Sequence, residues 1–121
     1  MITAAHRFNA TPGNLDWADD AGWQVLAAKV ATYAWLAREG GARGIAPDFE
    51  SHSERQFHFD PAKGRSFADT ASLARNCGSQ FGRAIAGEYP TAVILSLWLN
   101  SIKLKAGESD RPEAILVVLL A

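Results

Sequence analysis

The residues able to do chemistry crowd into "HSERQFHFDPAKGRSFAD", residues 52–69. His52, Glu54, His58 and Asp60 are ligand types for a transition metal. Their spacing fits no compact zinc pattern. Glu54 and His58 on one strand face would stand about 13 Å apart at ~3.3 Å per residue, too far to share an ion. His58 and Asp60 could converge, but a third ligand would have to come from elsewhere. No metal site, cofactor or catalytic residue is therefore assigned.

Two further chemistries are open to this stretch. His58 beside Asp60 could be an oriented general base, with Cys77 as nucleophile. Cys77, however, falls on the apolar side of a helix pattern with Leu73 and Ala84, where a thiol acts as an inert small hydrophobe. Anion binding is the more physical option. "KGRS" sets Lys63, a flexible Gly64, Arg65 and Ser66 at a helix start, where free amides and the helix dipole favour a phosphate or carboxylate. The order of a P-loop is absent. The plainer reading is a capped helix with solvated basic neighbours. Lys63, Arg65 and Ser66 stand as the candidate anion site. Arg75, Ser79 and Arg83 follow at steps of four on one helix face, a stripe that could meet an acidic surface or could simply be wet.

The elements that must position these groups can be read from periodicity. Asp16 in "NLDWADDAGW" is expected to cap a first helix that closes at Gly40 and Gly41. Two apolar seams run along it. One is Trp23, Leu26, Val30, Tyr33 and Ala37. The other is Trp17, Ala21, Gln24, Ala28, Ala31 and Trp35, on nearly the opposite side. Residues 40–53 read as a loop. "ERQFHFD" alternates like a half-buried strand, and "DPAKG" turns the chain. Ser66 and Asp69 form a capping-box-like start to a second helix ending near Gly87. Its core face is Phe67, Ala71, Ala74, Gly78, Phe81 and Ile85; its wet face is Ser72, Arg75, Ser79 and Arg83. The run 90–106 opens with Thr91, Val93 and Ile94 and is read as strand, as is "AILVVLLA".

These elements predict an α+β fold, a mainly antiparallel sheet with two long helices packed on it. The alternative is all-α, with 90–106 and 110–120 helical. A chain of 121 residues forms one domain, 1–121, able to bury a core without metal or disulfides. A net charge of −1 supplies no basic field to attract nucleic acid or anionic lipid. Cys77 is the single cysteine, which fits a reducing compartment, and a cytoplasmic location is expected. His6 and Arg7 stand where a secretion signal needs apolar residues, and "AILVVLLA" is too short to cross a bilayer.

The second seam sets the functional expectation. Trp17 and Trp35 stand about five turns apart on one extended helix, with Ala21 and Ala28 between them. The seam either packs internally on the Ala71–Ala74–Gly78 strip or binds a partner, since tryptophan anchors are frequent interface hot spots. The leading expectation is a small non-enzymatic protein that binds another protein or itself, as an assembly component or inhibitor does. Its interface would include Trp17, Ala21, Ala28, Trp35, Arg75 and Arg83. The runner-up is a small enzyme or sensor for an anionic ligand at 63–66. A weaker third is a nucleic-acid accessory protein using Arg75 and Arg83.

Overall fold

The first helix starts one tight turn later than its sequence suggests. A computed structural model describes residues 15–47 and 59–95. Helix α1 spans Asp20–Glu39, and Asp19, not Asp16, is its cap, accepting from the Gly22 amide at 3.0 Å. Asp16 builds the preceding turn instead. Its carboxylate accepts from the Ala18 amide at 2.8 Å. Its carbonyl accepts from the Asp19 amide and from the Trp23 indole N–H, both at 3.0 Å. This folds Leu15–Asp19 back over the helix start. Gly22 makes room: a Cβ there would collide with Leu15 Cδ1 and lie 2.6 Å from Asp19 Oδ2.

Helix α1 closes as its two glycines suggest. Gly41 takes a left-handed φ of 70°. Its amide donates to the Arg38 carbonyl, and the Ala42 amide donates to the Ala37 carbonyl at 2.9 Å. Those two bonds are the Schellman pattern, which satisfies carbonyls left open at the helix end.

The expected loop over residues 40–53 contains a short strand, β1 (Gly44–Ile45), with Gly44, Ile45, Ala46 and Pro47 all buried. Two residues between Gly and Pro are too few to show periodicity, so burial alone reveals it. A 3-10 turn at Pro61–Lys63 follows, with Asp60 accepting from the Ala62 amide and Gly64 left-handed at φ 73°. Helix α2 spans Phe67–Glu88 and is capped by Ser66, whose hydroxyl accepts from the Asp69 amide at 3.1 Å and donates to the Asp69 carboxylate at 2.7 Å. Strand β2 (Val93–Ile94) closes the described part.

β1 and β2 pair in parallel, Gly44 with Val93 and Ile45 with Ile94. This corrects the expected antiparallel sheet: the described residues form two long helices and one small parallel pair. The physical reason is the connection. The connection from β1 to β2 contains α2, and a helical crossover is what parallel neighbours require. The strand expected at 54–60 lies outside the described residues apart from Phe59 and Asp60. So do most of 90–106 and all of 110–120.

The core lies between the helices and holds two groups of side chains. Trp17, Trp23, Ala74 and Cys77 gather at one end, with Leu15, Phe59, Phe67 and Leu73 around them. Val30, Ala34, Ala37, Ile45 and Ile85 gather at the other, with Tyr89 and Ala92. Leu26 and Phe81 touch both groups. Early residues of α1 thus meet early residues of α2, and late meet late, so the helices run in the same direction. Small side chains allow the approach: Ala34, Ala37 and Ala74 are fully buried at the contact. The far ends are tied by polar groups. Arg38 donates to the Glu88 carbonyl, and the Tyr89 hydroxyl donates to the Ala42 carbonyl at 3.0 Å.

Candidate functional site

Lys63 and Arg65 do converge on an anion, and that anion is the chain's own Asp16. Arg65 donates to Asp16 Oδ1 at 2.9 Å, and Lys63 Nζ stands 3.7 Å from Oδ2. The two cations reach the carboxylate from the turn before α2, and the turn before α1 presents it. The Ala18 amide holds the Asp16 carboxyl below its ordinary pKa. Partial burial pushes the other way, and Arg65 and Lys63 add to the lowering. Ser66 is engaged in capping α2. The cluster fastens the entry of α1 to the entry of α2 across the chain. Sequence reasoning found its cations and missed its carboxylate, because Asp16 read as a helix cap.

The remaining chemical candidates separate. Asp60 caps the 3-10 turn. His52, Glu54 and His58 lie outside the described residues. Among the described residues no group of three His, Cys, Asp or Glu side chains gathers in a metal-ligating arrangement. Cys77 is buried, and its thiol donates to the Trp17 carbonyl at 3.5 Å. Burial, helped by the Asp20 charge, pushes its pKa up to about 12. It is a protonated packing group, as its place on the apolar side of α2 suggests. Arg75, Ser79 and Arg83 are exposed on α2 as one stripe, opposite the buried Ala71, Ala74 and Ile85.

The two tryptophans of the second seam part company. Trp17 precedes α1, so the helical spacing that aligned it with Trp35 does not apply to it. It is only 6% exposed and stacks on Trp23, with ring centroids 5.1 Å apart and planes 16° from parallel. It belongs to the core, which corrects its placement on an interface with Trp35. The rest of the seam stays outside. The first seam, Trp23, Val30 and Ala37, joined by Ala34, turns inward to α2 and β1. Ala21, Gln24, Ala28 and Trp35 are exposed, and Ala31 is half-buried.

The outer face of α1 is accordingly wider in apolar residues than its seam suggested. Val25 is 50% exposed, Trp35 44% and Leu36 42%. At 100° per residue Ala21, Val25, Ala28, Thr32, Trp35 and Leu36 lie together on the side away from the core. Thr32 adds little polarity, because its hydroxyl donates back to the Ala28 carbonyl at 3.0 Å. Between Asp20 and Arg38 the helix has one charge, Lys29, at the edge of this face. Val25 and Leu36 escaped the sequence reading because each falls between the two seams. Their signal was the scarcity of charge over the whole turn-to-turn surface. No helix among the described residues is long and apolar enough to cross a membrane.

Comparison with known protein families, with curated protein sequences and with solved structures finds no match to this chain.

Proposed function

We propose that this protein works by binding, without catalysis, another protein or a second copy of itself, and that the binding surface is the outer face of α1. The observation that carries this reading is the exposure of Val25, Trp35 and Leu36 on a helix whose opposite side already fills the core. A surface helix ordinarily puts charge on its outer side; one that is apolar all round is covered by something. A half-exposed tryptophan flanked by aliphatic residues is the usual make-up of an interface anchor. The cations of the 63–66 turn face an internal carboxylate, which supports a fastening role for them over capture of an external ligand.

The test places a charge at the centre of the face. Ala28 is exposed, so Ala28→Glu leaves the core alone, and at a concentration where both proteins are monomeric the variant keeps the wild-type circular dichroism and unfolding midpoint. The wild type and Ala28→Glu are compared in sedimentation and in capture from the native host at matched concentrations. Loss of the wild-type complexes in the variant supports the reading. Identical complexes from both proteins sink it.

A further inference from the structure

We infer that the occupant of the α1 outer face is a second copy of the chain, its α1 running antiparallel across a two-fold axis at Ala28. This rests on the binding role proposed above and names its partner. Three features of the face lead to it.

The first is spacing. Ala21, Ala28 and Trp35 recur at intervals of seven along α1, the repeat with which one helix packs along another. The second is shape. The three are evenly spaced about Ala28, with the largest residue at one end and a small one at the other. Turned antiparallel about Ala28, each Trp35 falls opposite the partner's Ala21, and the two Ala28 meet at the axis. A parallel pair would set Trp35 against Trp35 and leave Ala21 facing Ala21 across a gap. A two-fold contact must be self-complementary, and this face is so in one direction only.

The third is charge. The start of α1 presents Asp19 and Asp20, both exposed; just beyond its end stands Arg43, also exposed. Arg38 and Glu39 at that end neutralise each other at 3.0 Å, and Arg38 also donates to the Glu88 carbonyl. The antiparallel arrangement brings each acidic start toward the partner's Arg43 and opposes the two helix dipoles. Lys29 flanks the axis, and its long stem lets the ammonium reach solvent beside the contact. One helix pair is smaller than the ~800 Å² per partner of a standard interface, so a weak, concentration-dependent dimer is expected.

Sedimentation of the full chain across a concentration series reads the mass directly. The wild type is expected to pass from monomer to dimer. Ala28→Glu and Trp35→Ala should each weaken dimerisation at least about tenfold, as loss of a hot spot does. Adding Ala21→Trp to Trp35→Ala exchanges large and small across the axis and should recover most of the loss. Direction is read by oxidation: Ala28→Cys joins two chains, whereas Ala21→Cys, with its two copies about 21 Å apart along the helix, does not. The buried Cys77 thiol does not compete. A wild type that stays monomeric throughout overturns the second copy as partner, while the capture comparison for Ala28→Glu still decides whether the face binds another protein. A dimer indifferent to Ala28→Glu overturns the face as the contact. Cross-linking at position 21 but not at 28 overturns the antiparallel direction.

Discussion

Replacing Trp17 and Trp35 by alanine, one at a time, separates a core residue from a surface one of the same type. Trp17 is 6% exposed, stacked on Trp23, and its carbonyl accepts the Cys77 thiol. A tryptophan buries up to ~250 Å², which at ~25 cal/mol per Å² is about 6 kcal/mol for full burial. A compact unfolded chain already hides part of that area and trims the figure by about a third. The lost stack restores about 1 kcal/mol. Trp17→Ala should therefore cost about 4–5 kcal/mol, within the range measured for truncating buried aromatics. Domains of this kind have only ~5–15 kcal/mol in total, so the variant should unfold at markedly lower urea or already be partly unfolded. Trp35 is 44% exposed, on the far side of the helix, and the same arithmetic on its hidden share gives about 2 kcal/mol for Trp35→Ala in the monomer. Urea unfolding followed by far-ultraviolet circular dichroism, at a concentration where the chain is monomeric, measures both. Coupling between the stacked indoles adds a second signal, lost in Trp17→Ala and in Trp23→Phe and kept in Trp35→Ala. If Trp17→Ala costs under about 1 kcal/mol, or Trp35→Ala costs as much as Trp17→Ala, the assignment of the two residues to core and surface is wrong.

Asp16→Asn keeps an acceptor for the Ala18 amide and removes the charge facing Arg65 and Lys63. The folded Asp16 carboxyl titrates below its unfolded value of about 3.9, so its contribution is present above that pH and is lost as pH falls through the folded value. The wild type should exceed the variant by about 1 kcal/mol or less at neutral pH, the group being 39% exposed and screened, and the gap should close below about pH 4 and in high salt. A gap that persists at low pH would assign it to something other than the ion pairs. The Cys77 thiol titrates at about 12 when folded, against an ordinary 9.0; the unfolded chain releases that proton first, so stability should decline between those two values. Cys77→Ala should remove that decline, and native Cys77 should react with thiol reagents only as fast as the chain opens. Gly44→Val should be severely destabilising, because even a Cβ at Gly44 would run into the Val93 carbonyl group. A loss smaller than about 1 kcal/mol in chemical denaturation would mean that β1 and β2 do not pair as described.

What the residues determined alone was local. The two apolar seams of α1, the Gly40–Gly41 ending, the Ser66 cap, and the wet and buried sides of α2 all follow from periods and caps that act over one or two turns of chain. Cys77 was legible for the same reason, since its neighbours at helical spacing are apolar. What the tertiary structure decided was every feature that needs two distant segments. Asp16 looked like a cap until Lys63 and Arg65 arrived beside it from about fifty residues away. Trp17 looked like a helix residue until the chain folded back and laid it on Trp23. Strand direction depends on how the connection returns, and a helix crossing back between β1 and β2 makes it parallel, which no alternation along a single strand can show. The outer face of α1 is the mixed case: its apolar residues are written in the sequence, but which of two opposite seams is left outside is settled only when α2 and β1 cover the other one.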